Sequence, residues 1–164
     1  MKPLLLIALI LVSITSCSSD DTATDSNIIG SWQLTNYDIG LSVDIDKDEN
    51  FNVNLLDELN CQNNEVLMFE ANGTVSSNDT FNPTLLISKS MNGEYEFDVE
   101  CAEGSISFAS SYAVDNNEVI YSDNISTISD NKLYRTLENV INVYNDDFTQ
   151  IIETRDLNLI YTKQ

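Results

Sequence analysis

The chain has no histidine among its 164 residues, and only 7 lysines and arginines stand against 27 aspartates and glutamates. The missing histidine removes the commonest general base and the commonest transition-metal ligand, so neither a Ser-His-Asp nor a Cys-His arrangement can be built. Zinc would have to rest on carboxylates and at most three cysteines, Cys17, Cys61 and Cys101, a poor donor set for a tetrahedral site. The formal charge of −20 repels nucleic acid and anionic lipid, which argues against both as partners. It fits a solvated cell-surface protein or one that binds cations. The acids are spread along the chain rather than gathered in one tail, so they coat a fold. A carboxylate-pair hydrolase needs no histidine, but no particular pair stands out, and the chain is expected not to be an enzyme.

Long apolar runs are missing too. The one apolar stretch, LLLIALILV at residues 4–12, follows Lys2, the only charge before Asp20. It is too short to cross a bilayer as a helix, which takes about 20 residues. A basic start, a short apolar centre and a small-residue exit predict a secretory signal peptide over residues 1–16, whereas a buried core helix would show a polar face. Residues 17–27, rich in Ser, Thr and Asp, read as a flexible tether. Residues 28–164 read as one domain, long enough to bury a real core.

The exit is specific. Ile14-Thr15-Ser16-Cys17 resembles the lipobox of bacterial lipoproteins. That resemblance implies a diacylglycerol on the Cys17 thiol, cleavage before it, and acylation of the new amine. Each buried methylene adds about 0.8 kcal/mol of membrane affinity, so three acyl chains, palmitate or similar, hold where one does not. Ser18-Ser19-Asp20-Asp21 resembles the surface-export signal of lipoproteins from the Bacteroidetes, and Asp21-Thr22-Ala23 resembles the short O-glycosylation motif of that phylum. The implied location is the outer membrane or cell surface, with the membrane as partner through Cys17. With Cys17 acylated, Cys61 and Cys101 remain, and the compartment beyond the inner membrane permits them to pair. Their loop of about forty residues makes such a bridge worth on the order of 3–4 kcal/mol in the chain-entropy model. Two reduced, buried thiols are the alternative.

The rest is short runs rich in Ile, Val, Tyr, Phe and Thr, separated by Asn, Asp, Ser and Gly. Strands are predicted over 28–35, 65–70, 74–77, 84–88, 93–100, 105–112, 118–122, 124–128, 133–144, 148–154 and 157–162. Ala71-Asn72-Gly73-Thr74 is a hairpin turn, Asn-Gly being the strongest short signal of one. Asp115-Asn116-Asn117 and Ser129-Asp130-Asn131 are further turns. This spacing indicates an antiparallel barrel or sandwich. One short helix is predicted, over 55–60, with Asn54 as its N-cap and Asp57 and Glu58 near its positive end.

Gly30-Ser31-Trp32 matches the G-x-W motif that opens lipocalins. Cys61, then Val66-Leu67-Met68-Phe69-Glu70-Ala71-Asn72-Gly73-Thr74, resembles a block of lipocalin-like lipoproteins from the Bacteroidetes, and Cys101 with the closing strand at 157–163 fits the same pattern. The resemblance implies an all-β, antiparallel up-and-down β-barrel of about eight strands, with Trp32 plugging one end. In lipocalins a late Arg often stacks on that Trp; here the last strand offers Lys163, and Arg155 lies earlier. An eight-stranded barrel is either packed with side chains or holds one small ligand. The candidate lining or core residues are Trp32, Tyr37, Phe69, Tyr95, Phe97, Phe108, Tyr112, Tyr121, Tyr134, Tyr144, Phe148 and Tyr161. The expectation is therefore a lipid-anchored module binding a small apolar ligand; the rival is a structural or interaction barrel with a filled core.

The segment VDIDKDENFNVNLLDEL carries the most suggestive chemistry. Asp44, Asp46, Asp48, Asn50 and Asn52 fall at positions one, three, five, seven and nine of a loop that could wrap calcium, which takes six to eight oxygens. Glu49 stands at position six, where such a loop favours Gly, and Leu55 at position twelve, where it wants a carboxylate. In a strand, Asp44, Asp46 and Asp48 would simply face water while Leu41, Val43 and Ile45 point inward, and both readings remain open.

Overall fold

The computed structural model describes residues 25–164. The expected signal peptide, the lipid-attachment residue Cys17 and tether residues up to 24 lie outside the described residues. One helical turn, α1 (Asp25–Ile28), leads into β1 (Gly30–Val43). There follow β2 (Asn52–Asn54), a 3-10 turn (Leu55–Asp57), β3 (Val66–Phe69), β4 (Thr74–Ser77), β5 (Thr84–Lys89) and β6 (Tyr95–Glu100). The chain then forms β7 (Phe108–Asp115), β8 (Glu118–Tyr121), β9 (Asn124–Ser129), β10 (Lys132–Asn145) and β11 (Ile151–Lys163).

Eight of these strands close a barrel. β1, β3, β4, β7, β8, β9, β10 and β11 each pair antiparallel with the next, and β11 returns to β1 with Trp32 opposite Lys163. The architecture is thus the expected antiparallel up-and-down barrel, with two short helical pieces, α1 and the 3-10 turn. Tight turns drive the meander. Asp130-Asn131 and Ser122-Asp123 both hold pairs of left-handed residues, and Gly73 has φ of 82° in the Asn-Gly hairpin. Consecutive left-handed residues match the natural twist of the flanking strands.

Three strands lie outside the ring. β2 pairs with β1, and the β5–β6 hairpin is inserted between β4 and β7. β5 joins the barrel through a parallel pairing with the far end of β10, where Ile87, Ser88 and Lys89 face Val143, Tyr144 and Asn145.

Three predicted elements change shape. β1 runs well past residue 35 because a bulge between Leu34 and Asn36 shifts its phase. Both Leu34 and Tyr37 then face inward, and burial continues through Ile39 to Val43. The two closing strands are one, β11, because Arg155 turns inward to donate to the carbonyls of Ile39 and Gly40, so the polar Arg-Asp pair does not break it. The helix predicted over 55–60 is a single 3-10 turn, and Asn54 caps it by accepting from the Leu56 N–H.

Candidate functional site

Trp32 closes one end of the barrel and is fully buried. Its indole N–H donates to the Ile28 carbonyl at 2.7 Å, so α1 is tied across that end. The Lys163 ammonium lies 5.4 Å from the ring centroid and donates to the Asn27 carbonyl. Lys163 thus occupies the place over the indole, and Arg155 sits far along β11.

Above this plug the lumen is filled. Leu34, Leu67, Phe69, Val75, Val119, Tyr121, Leu133 and Tyr161 are all at most 1% exposed. Phe69 packs edge-on against Tyr112 and Tyr121 at 5.1 and 5.7 Å. A polar layer crosses the core there. Glu65, 4% exposed, accepts from the Tyr161 hydroxyl at 2.8 Å and the Phe81 N–H at 2.9 Å. Burial pushes its carboxyl up, and those two bonds and the Arg135 charge pull only partly back. Arg135 lies 4.5 Å over the Tyr121 ring. Burial, with the Glu65 charge behind it, raises the Tyr161 phenol well above its ordinary range. Buried Glu65 was not legible as a core residue, nor half-buried Arg135 as its neighbour, because each looks like ordinary surface charge in the sequence.

The wall opens on one side. β10 pairs with β9 through residues 132–135 and with β5 through residues 143–145, so residues 136–142 have no strand on that edge among the described residues. A bulge between Leu137 and Ile141, with Asn139 at φ of 55°, bends the strand at this place. The resulting slit encloses about 470 Å³. Its lips are Leu86 and Val140, 39% and 49% exposed. Leu85, Leu137 and Ile141 follow, packed against the core, and Tyr37 and Leu157 form the floor. Tyr37 stacks edge-on on Phe81 at 5.3 Å, and burial raises its phenol to about 12, helped by the Glu65 charge.

A charged latch closes the end of this half. The Tyr95 hydroxyl donates to Glu153 at 3.0 Å and accepts from Lys89 at 3.0 Å and Arg155 at 3.1 Å. Glu153 pairs with Arg155 at 2.6 Å and Lys89 at 3.5 Å. Burial alone would raise the Glu153 carboxyl, but the Tyr95 bond and the two cations hold it below its usual range. Of the aromatic residues read as lining or core, Tyr95 belongs to this latch. Tyr134 faces out of the barrel, 40% exposed, and Phe148 sits at the tip of the β10–β11 hairpin against Tyr144.

Asp44, Asp46 and Asp48 occupy a loop between β1 and β2, not a strand, and present carboxylate oxygens within 4.8 Å of one another. Asp44 accepts from the N–H groups of Asp48 and Glu49, and Asp48 accepts from both the backbone and side-chain N–H of Asn50. Lys47 and Glu49 take left-handed backbone, so position six adopts the turn that glycine would favour. Burial and the neighbouring charges of Asp48, Glu58 and Asp44 raise the Asp46 carboxyl, whereas the Asn50 bonds lower that of Asp48. The donor set, all hard oxygens, fits calcium at its first half. Its second half is absent: Leu55 is fully buried, Asn52 donates to Glu58, and buried Glu58 also holds the Ile45 N–H.

Cys61 and Cys101 form a disulfide with Cα atoms 5.3 Å apart. It ties the loop after the 3-10 turn to the end of β6, and so straps the β5–β6 hairpin to the β1–β3 side of the barrel. No protein-family model, curated protein or solved structure matches this chain.

Proposed function

We propose that the protein is a lipid-anchored, non-enzymatic binding module of the outer membrane or cell surface, lipocalin-like in kind, which takes a small apolar ligand through the side slit rather than into the central lumen. The carrying observation is the slit itself. Its volume of about 470 Å³ lies within the usual range of small-molecule sites, and its walls mix the aliphatic Leu85, Leu86, Leu137, Val140, Ile141 and Leu157 with the polar Asn82, Thr84 and Asn142. Around the barrel axis, by contrast, Leu34, Leu67, Phe69, Tyr121, Leu133 and Tyr161 are packed to at most 1% exposure. Anchoring rests on the lipobox-like Ile14-Thr15-Ser16-Cys17.

The test is displacement of a neutral fluorescent apolar probe, N-phenylnaphthylamine. Parent protein should enhance its emission, and Leu137→Trp, which fills the slit, should abolish the enhancement. Enhancement that survives Leu137→Trp places the probe elsewhere and refutes the reading. Separately, Cys17→Ala should release the protein from membranes, and persistent attachment would defeat the anchoring claim.

A second reading has its own support. The filled core, the disulfide and the clustered Asp44, Asp46 and Asp48 suit a structural or interaction barrel stabilised by calcium. It predicts no enhancement in either protein, with a mass increase of one calcium in native mass spectrometry.

A further inference from the structure

β6 is the last strand of the sheet, and among the described residues it pairs with β5 alone. In an antiparallel pair, alternate backbone N–H and C=O groups point away from the partner strand, so the far edge of β6 presents a row of them. Its side chains alternate along its whole length. Tyr95, Phe97 and Val99 are half-buried and packed on the core, whereas Glu96, Asp98 and Glu100 are exposed. Opposite those acids on β5 stand Ser88, Leu86 and Thr84, so the ladder sets no cation beside them. The ion pairs among the described residues join Lys89 and Arg155 to Glu153, and all three carboxylates of β6 are left unneutralised.

Spacing and charge narrow what can cover this edge. One metal ion cannot hold the row, because same-face residues of a strand stand about 6.5–7 Å apart. Asp44, Asp46 and Asp48, by contrast, bring their oxygens within 4.8 Å of one another. In a twofold β6–β6 pair with apolar faces matched, a second copy would set its own acids opposite Glu96, Asp98 and Glu100, and like charges so placed repel. We infer that β6 is a docking edge for a basic extended segment of another protein, which adds as a further strand with lysines or arginines opposite Glu96, Asp98 and Glu100. Main-chain hydrogen bonds along the edge supply the affinity, and the row of acids selects the partner. Residues that alternate with the cations of the incoming strand fall beside Phe97 and Val99, so they are apolar or β-branched. The overall charge of −20 draws such a segment in. This edge is independent of the side slit and of what the slit binds.

The experiment is titration of the fluorescein-labelled, amidated peptide KTKVKTK with the whole chain, read by fluorescence anisotropy. The peptide should bind, and backbone amide exchange in residues 95–100 should slow when it does. The same peptide methylated at every backbone nitrogen keeps its lysines but has no N–H to donate, and it should bind at least about tenfold more weakly. Glu96→Lys combined with Asp98→Lys should weaken the unmethylated peptide by about tenfold or more. Asp115→Lys combined with Glu118→Lys makes an equal change of charge at another exposed turn, and should leave its affinity within about twofold. Failure of KTKVKTK to bind, equal binding of the methylated peptide, or equal losses in the two charge reversals overturns the docking edge. Each of these outcomes leaves the slit reading untouched.

Discussion

β10 and β11 run the whole length of the molecule, and the two ends of the same strands are built differently. Near Trp32, Leu133 and Tyr161 are fully buried; Glu65 there is buried and hydrogen-bonded by Tyr161 and Phe81, and half-buried Arg135 lies over the Tyr121 ring. Some distance along the same strands, past the bulge at Asn139, the wall loses its hydrogen-bonded partner and Val140 stands half in water. Here the charges Lys89, Glu153 and Arg155 form a partly solvated latch. Closure of a sheet removes its free edges and permits complete packing. The inserted β5–β6 hairpin completes the second end through only three parallel-paired residues of β10, and that end remains open. The first end is closely packed, and the second keeps an open slit.

The strongest way to break this comparison is to cut into both ends. Trp32→Ala or Phe69→Ala should cost about 3–5 kcal/mol in urea unfolding, the usual range for a large aromatic lost from a core. Leu85→Ala or Leu137→Ala at the slit should cost about 1–2 kcal/mol, because these side chains are only partly buried and water refills the space. Equal losses would mean that the ends are not distinct.

Removing the bridge by replacing Cys61 and Cys101 with Ala should cost on the order of 3–4 kcal/mol. Amide exchange should accelerate in β5 and β6 before it does in β3 and β8. Uniform acceleration would show that the strap serves the whole barrel rather than the open end. In the parent, both cysteines should resist alkylation until reduced.

Alkali sharpens the contrast. An unfolded tyrosine loses its proton near pH 10, whereas folded Tyr37 holds it to about 12. Between these values the folded state carries more protons, so stability falls as pH rises, by on the order of 2–3 kcal/mol from this group. Tyr37→Phe should remove that part of the decline, and Tyr161, buried against Glu65, should sustain the remainder. A flat profile from pH 10 to 12 would contradict the burial of both phenols.

The smallest effect belongs to the Asp loop. Calcium at several times its dissociation constant should stabilise the parent by about 1 kcal/mol through linkage. The same addition should leave Asp46→Asn unchanged. Without calcium, Asp46→Asn should melt close to the parent, since the replaced charge is crowded by Asp44, Asp48 and Glu58.

Much of the fold could be read from local pattern. The alternation of Val75 and Ser77 with half-buried neighbours, the Asn72-Gly73 turn and the Asp130-Asn131 turn all announce antiparallel strands, and Asn54 announces its cap. The extension of β1 was hidden because a bulge reverses which residues face inward, and a period-2 pattern breaks there. The unity of β11 was hidden because Arg155 faces inward toward carbonyls supplied by a strand more than a hundred residues earlier. Of the candidate sites, the Asp44-Asp46-Asp48 loop was visible in spacing alone. The slit and its latch were not, since Lys89, Tyr95, Glu153 and Arg155 carry no motif.

By itself the sequence determined the class of this protein: short β-branched and aromatic runs between Asn and Asp turns, without histidine and with few prolines, specify an acidic, all-β antiparallel chain, barrel or sandwich. Each of those features acts within a few residues, through backbone sterics and side-chain alternation. The tertiary structure alone decided that Glu65 lies in the core with Arg135 half-buried near it, and that β5 joins β10 in parallel to leave the slit, whereas the Cys61–Cys101 bridge was already expected from the cysteine count. These depend on register between strands far apart in the chain. Register is set by closure of the ring and by the bulges that bend it, and periodicity, which names only the face of a strand, carries no record of either.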